Sequence, residues 1–423
     1  MNVVVSGPFG YGSLADEAVL AGILKHLAGG EHQVCVLSAD PEKTQRIHQV
    51  KSIEMKAPEH FLSNTKAWEE LSTANLLLLC GAGVVSDTGK LPARVWISQL
   101  EHARRIRVKS ALVGVGAFKV TVARERARLQ RLLHHFVDAI STRDEPSKYA
   151  LIGYGLSASR ISFTGDPILA LSAPDRSHPA SLAVSSGQTT AVGQTLLSAT
   201  GPTGMSAPPS HCAPPSHRVG IVLSCGVPSR DAFEIAALDA SEPLIMAVHG
   251  LLETLCSDPA HETILFFDDT KPALKMVHEC LRKLPPDRHQ LQPANVPISE
   301  IQERMAGCGV IFSLSLHGLL LGAASGVPVV GLAQETGAAD LLTWLGLKNY
   351  IVPQAHESFD VDAAAQSVKK VLQNSESLCE MLRKKMAILK KKEAQNGRII
   401  ELLIPRRERG TRKSTPQENE EED

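Results

Sequence analysis

Four short segments carry residue types that bind anions or move protons, and each follows an apolar run. The first is Gly7-Pro8-Phe9-Gly10-Tyr11-Gly12-Ser13-Leu14-Ala15-Asp16-Glu17. Gly10 and Gly12 would let backbone approach a ligand, and the N–H groups of the helix that follows would favour an anion. Ser13 and Asp16 also have the spacing of a capping box, which needs no ligand. The segment is neither G-x-G-x-x-G nor a Lys-Ser/Thr phosphate loop. The second, Cys80 to Asp87, puts Gly81, Gly83 and Asp87 at a strand's carboxyl end, either as a ligand contact or as a tight turn. In the third, Ser141-Thr142-Arg143-Asp144-Glu145-Pro146-Ser147, the adjacent Arg143 and Asp144 read as a structural ion pair or N-cap, or as a catalytic pair. The fourth, Ser313-Leu314-Ser315-Leu316-His317-Gly318, sets His317 at a helix start between serines and a glycine. An imidazole there donates a proton or a hydrogen bond to an anion, or is a satisfied core group.

These loops need strands to hold them. Short apolar runs alternate with helical patterns, which predicts an α/β fold. In the first half the strands read 2–7, 33–37, 75–80, 110–115, 139–142 and 160–164; in the second, 218–224, 263–267, 309–313, 328–332 and 349–352. Val19, Leu20, Ile23, Leu24 and Leu27 recur at helical spacing after the first strand. From Ser177 to His217 there are 41 residues without a single Asp, Glu, Lys or Arg, a composition that cannot bury a core. The expected division is a Rossmann-like domain over 1–173, a low-complexity linker over 174–217, a second Rossmann-like domain with a terminal helix over 218–404, and a charged tail over 405–423. Two such domains face a cleft, and ligands of such sheets bind outside the carboxyl ends of the strands.

Composition excludes several classes. Of the 423 residues 44 are Lys or Arg and 45 are Asp or Glu, so there is no basic surplus for a nucleic-acid backbone. No apolar run approaches the ~20 residues of a membrane span, and Met1 to Gly7 reads as a core strand, not a signal peptide. The eight cysteines form no C-x-x-C pair, which suggests reduced, buried thiols in a cytoplasmic protein. No carboxylate or His cluster has metal-ligand spacing, and no cofactor is expected.

The ordered segments GYGSLADEAVL (10–20), CGAGVVSD (80–87), STRDEPS (141–147), TGDP (164–167) and SLSLHGLLLGAASGVPVVGL (313–332) resemble the polysaccharide pyruvyl transferase family over residues 1 to about 350. The resemblance implies a GT-B-like pair of domains and transfer of a pyruvyl group from phosphoenolpyruvate to a sugar of a cell-surface glycan as a cyclic ketal. It makes His317 the donor contact and acid, and Asp16 and Glu17 the groups that orient acceptor hydroxyls or act as base. Gly10, Gly12, Ser13, Gly81, Gly83, Asp87, Arg143, Asp144, Ser313, Ser315 and Gly318 become substrate-binding positions. A glycan or lipid-linked sugar acceptor follows, compatible with peripheral membrane association.

Three cations of the family pattern are replaced. Ser315 stands where the family has an Arg two residues before the His, a basic residue common in the strand-end segment near Ser224-Cys225 is missing, and Gln334-Glu335-Thr336-Gly337 lacks the family's Lys. Arg230 and Lys271 are the candidates to substitute. The losses leave two alternatives, a GT-B-type glycosyltransferase with another donor and a catalytically degenerate binding protein.

Overall fold

The computed structural model describes residues 1–171, 217–223 and 242–404, apart from 31, 56–64, 82, 87–91, 118–119, 283, 286–287, 333–336 and 356–357. The expected linker, the tail, Asp87, Arg230, Ser224-Cys225 and Gln334 to Thr336 lie outside the described residues.

Each half is a parallel sheet flanked by helices. The first contains β1 (Asn2–Ser6), β2 (Gln33–Ser38), β3 (Lys51–Glu54), β4 (Leu76–Cys80), β5 (Lys109–Val115), β6 (Ala139–Thr142) and β7 (Ile161–Phe163), in the order β3-β2-β1-β4-β5-β6-β7. The second contains β8 (Arg218–Leu223), β9 (Glu262–Phe267), β10 (His289–Pro293), β11 (Val310–Ser313), β12 (Val329–Leu332) and β13 (Ile351–Val352), in the order β10-β9-β8-β11-β12-β13. A two-stranded ribbon, β14 (Gln354–Ala355) and β15 (Ser358–Phe359), follows. The two large sheets share the doubly wound order, with a switch point between their first and fourth strands. Central strands are apolar on both faces because helices cover both: Leu76, Leu77, Leu78, Leu79 and Cys80 are all fully buried.

The expected strands are present, within a residue or two at their ends. β3 (KSIE) and β10 (HQLQP) were not expected. Both are edge strands with few apolar side chains, so they lack the continuous hydrophobic signal of a buried parallel strand.

The described helices of the first half are α1 (Leu14–Leu27), α2 (Pro41–His48), α3 (Thr65–Thr73), α4 (Ala93–Arg105), α5 (Ala123–His135) and α6 (Glu145–Gly153). Those of the second are α7 (Glu242–Ser257), α8 (Lys271–Leu281), α9 (Ile298–Ala306), α10 (Leu316–Ala324), α11 (Ala338–Trp344), α12 (Val361–Gln373) and α13 (Ser375–Leu403). One buried cluster spans both halves. It joins Val5, Leu20 and Ile23 through Ile168 to Ile301 and Leu319, and to Leu382, Met386 and Ile400 of α13. The last helix therefore returns to the first half, packing on α1 and on the 3-10 turn Pro167–Ala170. Cys35, Cys80, Cys256, Cys280 and Cys308 are buried free thiols.

Gly22 shows how tightly α1 packs on the turn after β7. A Cβ there would stand 2.0 Å from the Pro167 carbonyl oxygen, a backbone atom that cannot swing aside. Gly22→Ala is expected to cost about 1–3 kcal/mol by overpacking, read as a lower denaturant midpoint. An unchanged midpoint would show that this junction can yield.

Candidate functional site

The loops of the two sheets meet at their carboxyl edges, and each expected residue can be placed. Ser13 is the N-cap of α1, its Oγ accepting from the Asp16 N–H at 3.4 Å. Asp16 is buried in the first turn. Glu17 is buried and committed to structure: one carboxylate oxygen accepts from the Gly10 N–H at 3.0 Å and the other meets His48 Nε2 at 2.7 Å. Those partners offset the cost of burying its carboxylate.

Loop one also carries a contact between the halves. Asp268, just past β9, accepts the Leu14 N–H at 2.8 Å and so caps α1 from the other domain. The Asp269 N–H donates to the Gly12 carbonyl at 2.8 Å, and Lys43 pairs with the Asp269 carboxylate at 2.5 Å. Gly12 has φ +81°, and a Cβ there would lie 2.2 Å from the Asp269 oxygen. Its glycine is explained by this junction. Gly10, Tyr11, Gly12, Lys43, Arg46 and Asp269 line part of a polar cavity of about 500 Å³ beside the loop.

Gly81 packs on Pro8, and its carbonyl accepts from the Gly116 N–H at 3.3 Å; Gly83 is buried beside it. In the fourth segment Ser315 is the N-cap of α10, its Oγ accepting from the Gly318 N–H at 3.2 Å. Ser313 Oγ accepts from the Ser315 N–H at 3.1 Å and donates to its carbonyl at 3.0 Å. Gly318 packs directly over Ser313. These serines shape the turn that presents His317.

His317 is where the halves converge. Arg143, after β6 of the first sheet, places Nη1 2.9 Å from His317 Nε2. Its Nε donates to Asp144 at 2.8 Å, and Asp144 also caps α6 by accepting the Ser147 N–H at 2.7 Å. Arg143 thus combines the local ion pair with a contact that reaches across the domains. A guanidinium only donates, so Nε2 accepts and the ring proton sits on Nδ1. Asp166 Oδ2 lies 3.7 Å from the same Nε2. Its other oxygen accepts the Ile168 N–H at 3.0 Å. Burial raises the Asp166 carboxyl from 3.8 to about 6, against the opposing pull of Arg143.

Asp166 was visible only as part of TGDP and was not singled out, because a lone Asp before Pro reads as a turn residue. Of the two expected substitute cations, Arg230 lies outside the described residues, and Lys271 is exposed at the start of α8. Among the described residues, Arg143 brings positive charge to His317. Sequence separation hid this, since the two are 174 positions apart in the chain.

The sequence matches the family model described as polysaccharide pyruvyl transferase over residues 16–336. The chain belongs to this family. The matched region holds Arg143, Asp166 and His317, while α13 lies beyond it. No curated protein matches the chain. Among solved structures it is similar to UDP-GlcNAc 2-epimerase of Neisseria meningitidis bound to UDP-GlcNAc, with TM-score 0.59, 12% identity, and 95% of this chain and 99% of that one covered. It is also similar to Anabaena HepE in complex with UDP-glucose, with TM-score 0.56, 13% identity, and 95% and 100% covered. At such identities the likeness establishes the fold, which is GT-B-like. The family is one of transferases. Among the described residues, no group of three or more His, Cys, Asp or Glu could hold a metal.

Asp166 supplies a pH test. The folded state holds its proton between pH 3.8 and about 6, where the unfolded chain has released it, so its contribution to stability falls as pH rises through that window. Asp166→Asn keeps an oxygen for the Ile168 N–H and does not titrate. The melting temperature of this variant relative to the parent is expected to rise between pH 4 and pH 7. A constant difference would show that burial does not control this carboxyl.

Proposed function

We propose that the chain transfers a pyruvyl group from phosphoenolpyruvate to a sugar of a cell-surface glycan, closing a cyclic ketal. The observation that carries this reading is Arg143 on His317 in a member of this family. A donor with phosphate and carboxylate groups needs charge-assisted donors, and Arg143 is a cation already placed at the junction. Bound donor draws the guanidinium from Nε2 to its own oxygens. That frees Nε2 to take up a proton, and the nearby Asp166 carboxylate stabilises the imidazolium.

The chemistry then runs in two additions. His317 protonates C3 of the enol phosphate, and C2 becomes electrophilic. One sugar hydroxyl attacks C2 and returns its proton to His317, the C2–O bond to phosphate breaks with its electron pair on the phosphate, and a second hydroxyl closes the ketal on C2 as the departing phosphate takes its proton. The Arg143 guanidinium neutralises charge on the departing phosphate. Asp16 is proposed to orient an acceptor hydroxyl from the first turn of α1. Glu17 supports the same loop through Gly10 and His48. The polar cavity beside Lys43 and Arg46 is the proposed path of the acceptor glycan, since carboxylates and cations pair with sugar hydroxyls.

A lipid-linked acceptor fits one surface. Segment 383–413 holds twelve Lys or Arg against three Glu in a chain whose net charge is −1. On α13, Lys384, Ile388, Lys391, Gln395, Arg398 and Leu402 recur at helical spacing and are all exposed. Such a face suits peripheral contact with an anionic bilayer, each cation being worth about 1 kcal/mol there. No helix among the described residues is long and apolar enough to cross a membrane.

Two experiments test these readings. With phosphoenolpyruvate and a panel of sugar-linked acceptors, phosphate release is expected only with a matching acceptor. His317→Ala should lower kcat by about 10²–10⁴, the range of general-acid catalysis, with little change in melting temperature. Sugar-nucleotide binding without acceptor-dependent phosphate would favour a glycosyltransferase, and binding of neither would favour a non-catalytic protein. In vesicle sedimentation the full chain should bind phosphatidylglycerol-containing vesicles over phosphatidylcholine alone. Charge reversal at Lys384, Lys391 and Arg398 together should weaken this about tenfold or more, given the electrostatic contribution per cation. Equal binding to both vesicle types would refute the membrane surface.

A further inference from the structure

The side chain of Asn396 is buried where the last helix meets the first sheet, and its whole hydrogen-bonding capacity is used. Its Oδ1 accepts from Ser141 Oγ at 2.7 Å and from Thr164 Oγ1 at 2.7 Å. Its Nδ2 donates to the Gly165 carbonyl at 3.2 Å and to Glu393 Oε1 at 3.3 Å. The chemistry of the partners sets the amide's orientation. Ser141 Oγ already accepts from the Gly114 N–H at 2.9 Å, so its proton must point at an acceptor. Gly165 and Glu393 offer only acceptors, so the amide nitrogen must face them. Glu393 is held in turn by His26 Nε2 at 2.7 Å.

The residues that Asn396 ties together flank the candidate site. Ser141 is two residues before Arg143, and Thr164 and Gly165 immediately precede Asp166. The Thr164 and Gly165 N–H groups also donate to the Thr142 carbonyl, at 3.2 and 3.3 Å. The end of β6 and the turn after β7 are thus stitched into one unit with the amide at its centre. From that unit Arg143 and Asp166 project toward His317. The same helix packs on α10, which carries His317.

We infer that Asn396 is a positioning residue of the transfer site: it sets the separation of Arg143 and Asp166, and so the protonation and orientation of His317, without touching substrate. This rests on the functional reading above. A fully satisfied buried amide suits the task because any shift of one loop leaves a buried polar group unpaired. Its position outside the region matched by the family model makes the last helix a working part of the site.

The test uses the full chain labelled with ¹⁵N-histidine, with the His317 ring signal assigned by its loss in His317→Gln. Arg143 and Asp166 face that ring, and Asp144 and Glu393 act electrostatically on Asp166 beside it. Asn396→Ala, and the near-isosteric Thr164→Val should the first not fold, are expected to move the His317 midpoint by about 0.5 pH unit or more, since its charged neighbours shift. In the phosphate-release assay the same variants should lower kcat about tenfold with KM for phosphoenolpyruvate changed less than about threefold, as expected for misplaced catalytic groups. Leu382→Ala, a cavity in the same helix, supplies the control for stability alone. Glu393→Gln combined with Asn396→Asp restores a donor–acceptor pair between the two positions and should recover part of kcat. A His317 midpoint unmoved by Asn396→Ala or Thr164→Val, or moved equally by Leu382→Ala, overturns the assignment. If the wild type releases no phosphate, the functional reading fails while the His317 titration still decides the role of Asn396.

Discussion

The contact between Arg143 and His317 depends on two sheets presenting their carboxyl edges to each other, and the rest of the molecule serves that requirement. Neither group has a reason to hold its position alone. Arg143 extends from a strand end of the first sheet, and His317 sits in the first turn of a helix of the second. Their 2.9 Å separation follows from how firmly the halves are docked. The docking is partly apolar, through the cluster that runs from Val5 to Leu319 and Ile400. It is also polar where the loops meet, through Asp268 on Leu14, Asp269 on Gly12 and Lys43, and Asn396 on the loops of the first sheet.

Buried carboxylates explain the detail at this junction. Glu17, Asp166, Asp268 and Glu393 are all nearly or fully buried. Each is retained only because N–H groups, a histidine or an amide satisfies its oxygens. Asp166 is the exception in one respect, since burial raises its carboxyl toward the working range of pH. Glu17, one of the acidic pair of the first loop, is tied on both oxygens. Two acids that look alike on paper therefore do different work, and the difference lies in their partners.

Much of the architecture was legible because parallel strands buried on both faces leave continuous apolar runs, as in Leu76 to Cys80. The edge strands β3 and β10 left no such run. Loop positions were also legible, because small residues after a strand mark the carboxyl edge. What the loops do was less so. Gly12 reads equally as a ligand contact or as a close approach, and only the folded chain brings the Asp269 backbone beside it. Asp166, Asn396 and the Arg143–His317 contact depend on residues far apart in the chain. No local pattern records such pairing, and a basic helical stretch gives no sign that one asparagine within it turns inward.

Ser315, where the family resemblance places an arginine, bears on how the site is assembled. An arginine two residues before His317 would belong to the same loop and stay beside the imidazole however the halves were arranged. Ser315 instead caps α10, which anchors the turn but adds no charge. The cation at His317 now comes from the opposite domain. Charge at the imidazole is then coupled to domain docking, and docking is coupled to the last helix through Asn396 and Glu393. A solvent-filled gap would separate Arg143 from His317 if the halves parted, and the pair would lose both its low-dielectric setting and its hydrogen bond. In the proposed reaction, the closed arrangement is thus the state in which the proton-carrying and anion-binding groups act as one site.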